Sequence, residues 1–179
     1  KVVENRDPYT AGHQKRVALL STAIAQEMGF SDIAIQGLRF AAILHDIGKV
    51  NVPVEILVKP TKLTDDEFSI IKLHSLIGYE ILNQIPFPWP VSRIVLQHHE
   101  RLNGSGYPDG LKEQDILLEA KIIAVADVVE AMAYDRPYRP ALGIDNALKE
   151  IKNKSDILFD RNIVEICIKL FKEKGFSFY

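Results

Sequence analysis

Four of the five histidines and one aspartate stand where the local pattern calls for apolar side chains. His13 lies four residues before Val17 on the stripe through Leu20, Ile24 and Met28. His45 continues Leu38, Ala41 and Ala42, His74 falls between Ile70 and Ile77–Ile81, and His98 continues Val91 and Val95. Asp127 follows Ile123 by four in "AKIIAVADVVEAMAY", the most apolar stretch of the chain. At helical spacing each of these positions faces the interior. One such histidine is ordinarily a satisfied core residue. Four of them, with His99 beside the last and a carboxylate whose uncompensated burial is costly, point to side chains converging on metal. His45 and Asp46 are neighbours, about 100° apart around a helix, and can offer a nitrogen and an oxygen to one ion. A carboxylate has two oxygens, so Asp46 can also bridge to a second ion. Seven candidate ligands (His13, His45, Asp46, His74, His98, His99 and Asp127) are too many for one ion that keeps an open position. They suit two ions, the arrangement that hydrolyses phosphate esters. Imidazole and carboxylate without thiolate favour two divalent ions of iron or manganese, with cobalt, nickel or zinc as alternatives.

Lys49 follows Asp46 by three residues and His45 by four, on their face if the helical turn continues. A lysine beside metal ions implies an anion shared among them. The segment "NGSGYPDG", 103–110, is built of turn-forming residues. Directly after the histidine pair it reads as a loop over the mouth of the site. "RPYRP", 136–140, reads equally well as the basic end of a helix.

The elements that must position these groups are helical. The periodicity predicts a helix over 13–29, ended by Gly29, and a second opened by Ser31 and Asp32. Pro53 and Pro60 bracket a short element. "LTDDEF" starts a helix with Thr64 as N-cap and Glu67 as its capping-box partner, running through about Ile70–Asn83 and stopping near Pro86. Pro86, Pro88 and Pro90 make a rigid entry to a helix through Val91, Val95 and Leu102. Further helices are expected over about 116–134, 143–153 and 160–174, the last stopped by Gly175. There is no internal repeat and no β-type alternation, so the expected fold is an all-α single domain.

Composition agrees. The chain has 179 residues, enough for one domain that buries roughly 70% of its unfolded surface without disulfides. A net charge of −2 argues against a polyanion-binding face. The single cysteine, Cys167, sits in the amphipathic pattern "VEICIKLF", reads as a core thiol and excludes an intrachain disulfide. The expected setting is a reducing cytoplasm. No signal peptide or membrane span is visible, since the most apolar stretch carries Asp127 and Glu130. The chain opens at Lys1 without methionine, which suggests a fragment of a longer signalling protein.

With these residues in hand, the sequence resembles the HD-GYP domains of the HD metal-dependent phosphohydrolase superfamily. The matching stretches are "RDPYTAGH" at 6–13, "LHDIGKVNVP" at 44–53, "KLTDDEFSIIKLH" at 62–74, "HHERLNGSGYPDGL" at 98–111, "AVADVVEAM" at 124–132 and "RPYR" at 136–139. They run in family order and cover about residues 4–145, so the whole of 1–179 is expected to be one HD-GYP-type domain. The resemblance implies an all-α phosphodiesterase that opens cyclic di-GMP to linear pGpG, in some members on to GMP, or acts on cyclic GMP-AMP. It implies that His13, His45, Asp46 and Asp127 hold one ion and that Asp46 bridges to another held by His74, His98 and His99. Catalysis would use a hydroxide between the ions. Lys49 would contact the scissile phosphate, Arg136 and Arg139 would steady phosphates, and the Gly106-Tyr107-Pro108 loop would dock a partner of the diguanylate cyclase type. A homodimer fits the family as well, while contact with a nucleic-acid polymer or a membrane is not expected of this domain. Two rival readings are a phosphohydrolase for another nucleotide and a low-turnover module that binds a nucleotide or partner. The chain departs from the family at three places. Tyr9 stands where many relatives carry the Glu that ligates a third metal, so two metals are expected. Asn103 and Glu130 stand where Asp is usual.

Overall fold

The computed structural model describes residues 12–135 and 140–178. Eight α-helices make up the architecture of the described residues: α1 (His13–Glu27), α2 (Asp32–Leu44), α3 (Val54–Leu57), α4 (Asp65–Leu82), α5 (Val91–Gln97), α6 (Leu118–Ala133), α7 (Ile144–Asn153) and α8 (Arg161–Lys172). Short 3-10 turns lie at Ile47–Asn51 and Glu113–Asp115. No strand forms among the described residues, only isolated bridges between Asn103 and Lys112 and between Ser155 and Phe159. The all-α expectation therefore holds. No helix of the described residues is long and apolar enough to cross a membrane.

Local signals explain most boundaries. Ser31 caps α2 by accepting from the Ala34 amide. Thr64 and Glu67 form the expected capping box at the start of α4: each side chain satisfies the other's backbone amide. Asp160 caps α8 through the Ile163 amide. α1 packs on α2 and α6, α4 on α5 and the first 3-10 turn, and α7 and α8 close the far side. The shared core is built from Val17, Leu20, Leu38, Ile94, Ile122 and Ile163, among others.

Two boundaries and one buried face differ from the sequence reading. α2 ends at Leu44, so His45 is its C-cap and Asp46 already lies outside, leading into the 3-10 turn. α5 stops at Gln97 and does not continue to Leu102; His98 is its C-cap and the chain turns at once. α4 buries Ser75, Gly78 and Leu82 around His74, while Ile70 is on the exposed side. The expected stripe was thus rotated, because the exposed Phe68, Ile70, Leu73 and Leu76 of α4 mimic a core face.

Close backbone approach locks the first 3-10 turn to α4. A Cβ at Gly48 would overlap the His74 carbonyl and crowd the Gly78 amide. Glycine therefore lets the turn carrying Asp46 and Lys49 press directly against the helix carrying His74.

Candidate metal centre

The predicted ligands come from five elements and meet inside the bundle. His13 is the first residue of α1, His45 caps the end of α2 and Asp46 leads into the first 3-10 turn, His74 lies mid-α4, His98 and His99 follow α5, and Asp127 lies in α6. His13, His45, Asp46, His74 and His98 are buried, whereas Asp127 and His99 are only partly so. The Asp127 side chain is 16% exposed, which opens the cluster to solvent on that side and corrects the expectation of a fully buried aspartate.

Backbone carbonyls set the rings. The Nδ1 of His45 donates to the Ala42 carbonyl at 2.7 Å, that of His74 to Ile71 at 2.6 Å, and that of His98 to Val95 at 2.5 Å. With the proton held on Nδ1, each Nε2 turns its lone pair inward. His13 and His45 then face each other at 3.3 Å between Nε2 atoms, and so do His74 and His98. Two such lone pairs repel, and a cation between them removes the conflict. This donor set fits a metal.

Asp46 stands between the two pairs. Its Oδ2 is 3.5 Å from His45 Nε2 and 3.7 Å from His13 Nε2, while its Oδ1 is 3.5 Å from His74 Nε2. Asp127 Oδ1 lies 3.4 Å from His13 Nε2. Three groups bring their ligand atoms within 4.8 Å of one another: His13 with His45 and Asp127, His74 with His98 and His99, and His45 with Asp46 and His98.

The electrostatics suit ligation. Burial holds His98 and His99 well below the usual histidine range, with neighbouring histidines adding to the effect. His45 and His74 are lowered too, again chiefly by burial, against the pull of Asp46. Neutral imidazoles are what a metal requires. Burial pushes the Asp46 carboxyl upward, but Lys49 and then His45 and His74 outweigh it and hold the group well below the carboxylate range. Lys49 Nζ donates to Asp46 Oδ2 at 2.7 Å, so the lysine does share the site although a 3-10 turn, not a continuing α-helix, carries it there.

The glycine-rich loop is anchored beside the cluster. Tyr107 stacks on His99 at 4.7 Å between ring centres and meets His74 edge-on at 6.4 Å. Gly106 sits so close to the Glu100 and Arg101 backbone that a Cβ would collide with it. The expected guard at the entrance is therefore a fixed wall, with Pro108 and Asp109 exposed beyond it. Burial, then Asp127, raises the Tyr107 hydroxyl and keeps it neutral.

Several contributors went unassigned at the sequence level. Glu130, buried in α6, accepts from His13 Nδ1 at 2.5 Å and from Arg16 at 2.6 and 2.8 Å. It sits three residues after Asp127, hence on the same helix face, which was the available signal. Glu100 is buried and accepts from the amides of Asp109, Gly110 and Leu111 at 2.8, 3.1 and 2.9 Å, tying the loop to the histidine pair. Arg101 donates to the His98 and Glu100 carbonyls and covers Phe159. Neither of the latter two had a periodic signal, because both lie past the end of α5. Arg136, Arg139 and Tyr9, with the two-metal expectation drawn from Tyr9, lie outside the described residues.

Known proteins bear out the resemblance. Residues 1–163 match the family model of the HD domain. The chain is 45% identical over 172 residues to a cyclic di-GMP phosphodiesterase of Thermotoga maritima, covering 95% of this chain and 47% of that protein. It is 43% identical over 149 residues to 3'3'-cGAMP-specific phosphodiesterase 3 of Vibrio cholerae, covering 83% and 32%. The chain thus spans less than half the length of these relatives. Among solved structures, an HDG"Y"P protein from Bdellovibrio bacteriovorus superposes with a TM-score of 0.74 at 24% identity, over 89% of this chain and 51% of that one, a likeness of fold.

Proposed function

The chain belongs to the HD domain family, and on that premise we propose that it is a metal-dependent phosphodiesterase acting on a cyclic dinucleotide, cyclic di-GMP or 3'3'-cGAMP. The observation that carries the proposal is Asp46, whose two oxygens face different imidazoles, Oδ2 toward His45 and His13 and Oδ1 toward His74. A single-ion site would not need both. His13, His45 and Asp127 would hold one divalent ion, His74, His98 and His99 the other, with Asp46 shared. When bound, such a pair supplies Lewis-acid stabilisation of phosphoryl charge and lowers the pKa of a water.

The chain's own residues supply the rest. The carbonyls of Ala42, Ile71 and Val95 and the Glu130 carboxylate fix ring orientation and proton position. Lys49 is 17% exposed and already beside Asp46, so its ammonium can meet a phosphate oxygen entering from the open side. Tyr107 and His99 form the wall against which the sugar-phosphate would lie. Arg136 and Arg139 would steady phosphates, and the Gly106-Tyr107-Pro108 loop exposes Pro108 to a partner of the cyclase type, with a second copy of the chain as another candidate. Iron or manganese suits the oxygen- and nitrogen-rich donor set. A complete donor set favours an enzyme over a binding module.

The test is metal analysis of the purified protein paired with chromatography of the products from cyclic di-GMP and 3'3'-cGAMP. Two ions per chain and a linear dinucleotide product are expected. Full metal content with neither substrate opened would sink the proposal.

A further inference from the structure

Lys72 is the cation at the mouth of the cluster that the reaction has not used. It lies on α4 two residues before His74, half-buried, with its ammonium 4.8 Å above the Phe68 ring and 5.8 Å from the centre of the Tyr107 ring. Phe68 itself is 43% exposed and meets Tyr107 edge-on at 6.4 Å. Two other lysines of this region have carboxylates: Lys59 pairs with Glu67 and Lys49 with Asp46. Lys72 has no ion pair among the described residues. The sequence explains why, since positions three and four away on its helix are Ser69, Phe68, Ser75 and Leu76, with no acid at helical reach. Two aromatic faces thus hold a positive charge in place without neutralising it.

The position of that charge matters. Tyr107 touches Lys72 on one side and stacks on His99, a candidate ligand, on the other. Lys72 therefore stands one aromatic ring away from the metal cluster. A cyclic dinucleotide carries two phosphodiesters joined through two riboses, so when one is at the cluster the other must lie one ribose away. A fixed, unneutralised ammonium at that remove suits an anion of this kind.

We propose that Lys72 binds the second, non-scissile phosphate of the cyclic dinucleotide and so favours esters with two phosphates over those with one. The inference rests on the proposed function and deepens it. Phe68 and Tyr107 are the positioning residues that hold the ammonium.

The experiment compares the metal-loaded parent protein with Lys72→Gln and Lys72→Arg on cyclic di-GMP and on bis(p-nitrophenyl) phosphate, which has a single phosphate. For Lys72→Gln, kcat/KM on cyclic di-GMP should fall roughly tenfold, carried by KM, the size of one charge-assisted contact. The fall on the single-phosphate ester should be several-fold smaller. Lys72→Arg should recover most of the loss, because it keeps both the charge and the stacking. The parent's KM for cyclic di-GMP should also rise more steeply with salt than that of Lys72→Gln. An unchanged KM in Lys72→Gln, or an equal loss on both esters, overturns the inference. A parent that opens the single-phosphate ester but no cyclic dinucleotide overturns the proposed function instead, and metal analysis of each variant identifies any loss that comes from the ions.

Discussion

The two ends of the helical bundle obey different rules. α7 and α8 bury Ala147, Leu148, Ile151, Ile163, Val164, Cys167 and Leu170, and no charged or hydrogen-bonding side chain beyond the thiol. Their outer faces carry lysines, glutamates and asparagines, the ordinary division for helices on a core. α1, α4 and α5 bury His13, Gln14, Ser21, His74, Ser75 and Gln97 among their apolar residues. In the first region every buried atom serves packing. In the second, burial is spent on polar groups that need outside compensation, which ties that region's stability to pH and to ligand.

The contrast is sharpest at Asp46. Asp46→Asn should cost more than loss of any one histidine, since the carboxylate faces both sets of imidazoles. The expected outcome is loss of both ions and of turnover, read by metal analysis and product chromatography. A variant that keeps two ions would break the bridging assignment.

Lys49→Ala should separate metal binding from catalysis. A protonated ammonium cannot be a ligand, so the metal content should persist. kcat/KM should drop about 10²–10³-fold, the size of removing one preorganised donor to developing negative charge. Steady-state kinetics on metal-loaded protein decides it, and full activity would leave Lys49 as no more than Asp46's partner.

Glu130→Gln should weaken metal affinity by about 10–100-fold, the usual cost of disturbing a carboxylate behind a histidine ligand. Competition with a chelator measures this. An unchanged affinity would show that the Glu130 hydrogen bond to His13 is structural only.

The pH response should distinguish the two regions. His45, His74, His98 and His99 are all lowered in the folded protein. Below the ordinary histidine value of 6.5 the unfolded chain binds protons that the native metal-free chain refuses. Stability of metal-free protein should therefore fall as pH drops through that value, and continue to fall toward the lowered native values. Asp46 works in the same direction but further down, because a depressed carboxyl contributes above its unfolded value of 3.8 and loses that contribution on acidification. A flat melting temperature between pH 8 and 5 would contradict the burial assigned to the cluster.

The smallest effect belongs to the far end. Ile151→Val, wholly inside the core, should cost about 0.5–1.5 kcal/mol of stability and leave metal content and turnover unaffected. Denaturant melts with metal analysis test it, and a change in metal content would show that the two regions are coupled.

Much of this was legible in the residues. The capping box at Thr64 and Glu67, the Ser31 cap and the helical periods all use information within four residues, the range over which sequence spacing reports structure. The convergence of His13, His45, His74, His98 and Asp127 was readable because polar residues in apolar stripes imply a common interior. The rotated stripe of α4 was not, because Phe68, Ile70, Leu73 and Leu76 are apolar yet exposed. Nor was the early end of α5, where the His98 side chain takes the Val95 carbonyl that a longer helix would have bonded internally and Glu100 turns to the amides of the glycine-rich loop.

By itself, then, the chain's one-dimensional pattern determined that helices form, that the histidines and Asp127 turn toward a common interior and which chemistry those side chains can support. The tertiary structure alone decided how they face one another: that Asp46 presents one oxygen to each set of imidazoles, that Glu130 stands behind His13, that Glu100 pins the glycine-rich loop, and that Lys72 is held by rings and not by a carboxylate. The physical reason is range. Helix periodicity and capping act over a turn, whereas a hydrogen bond between residues 117 positions apart depends on how whole helices pack.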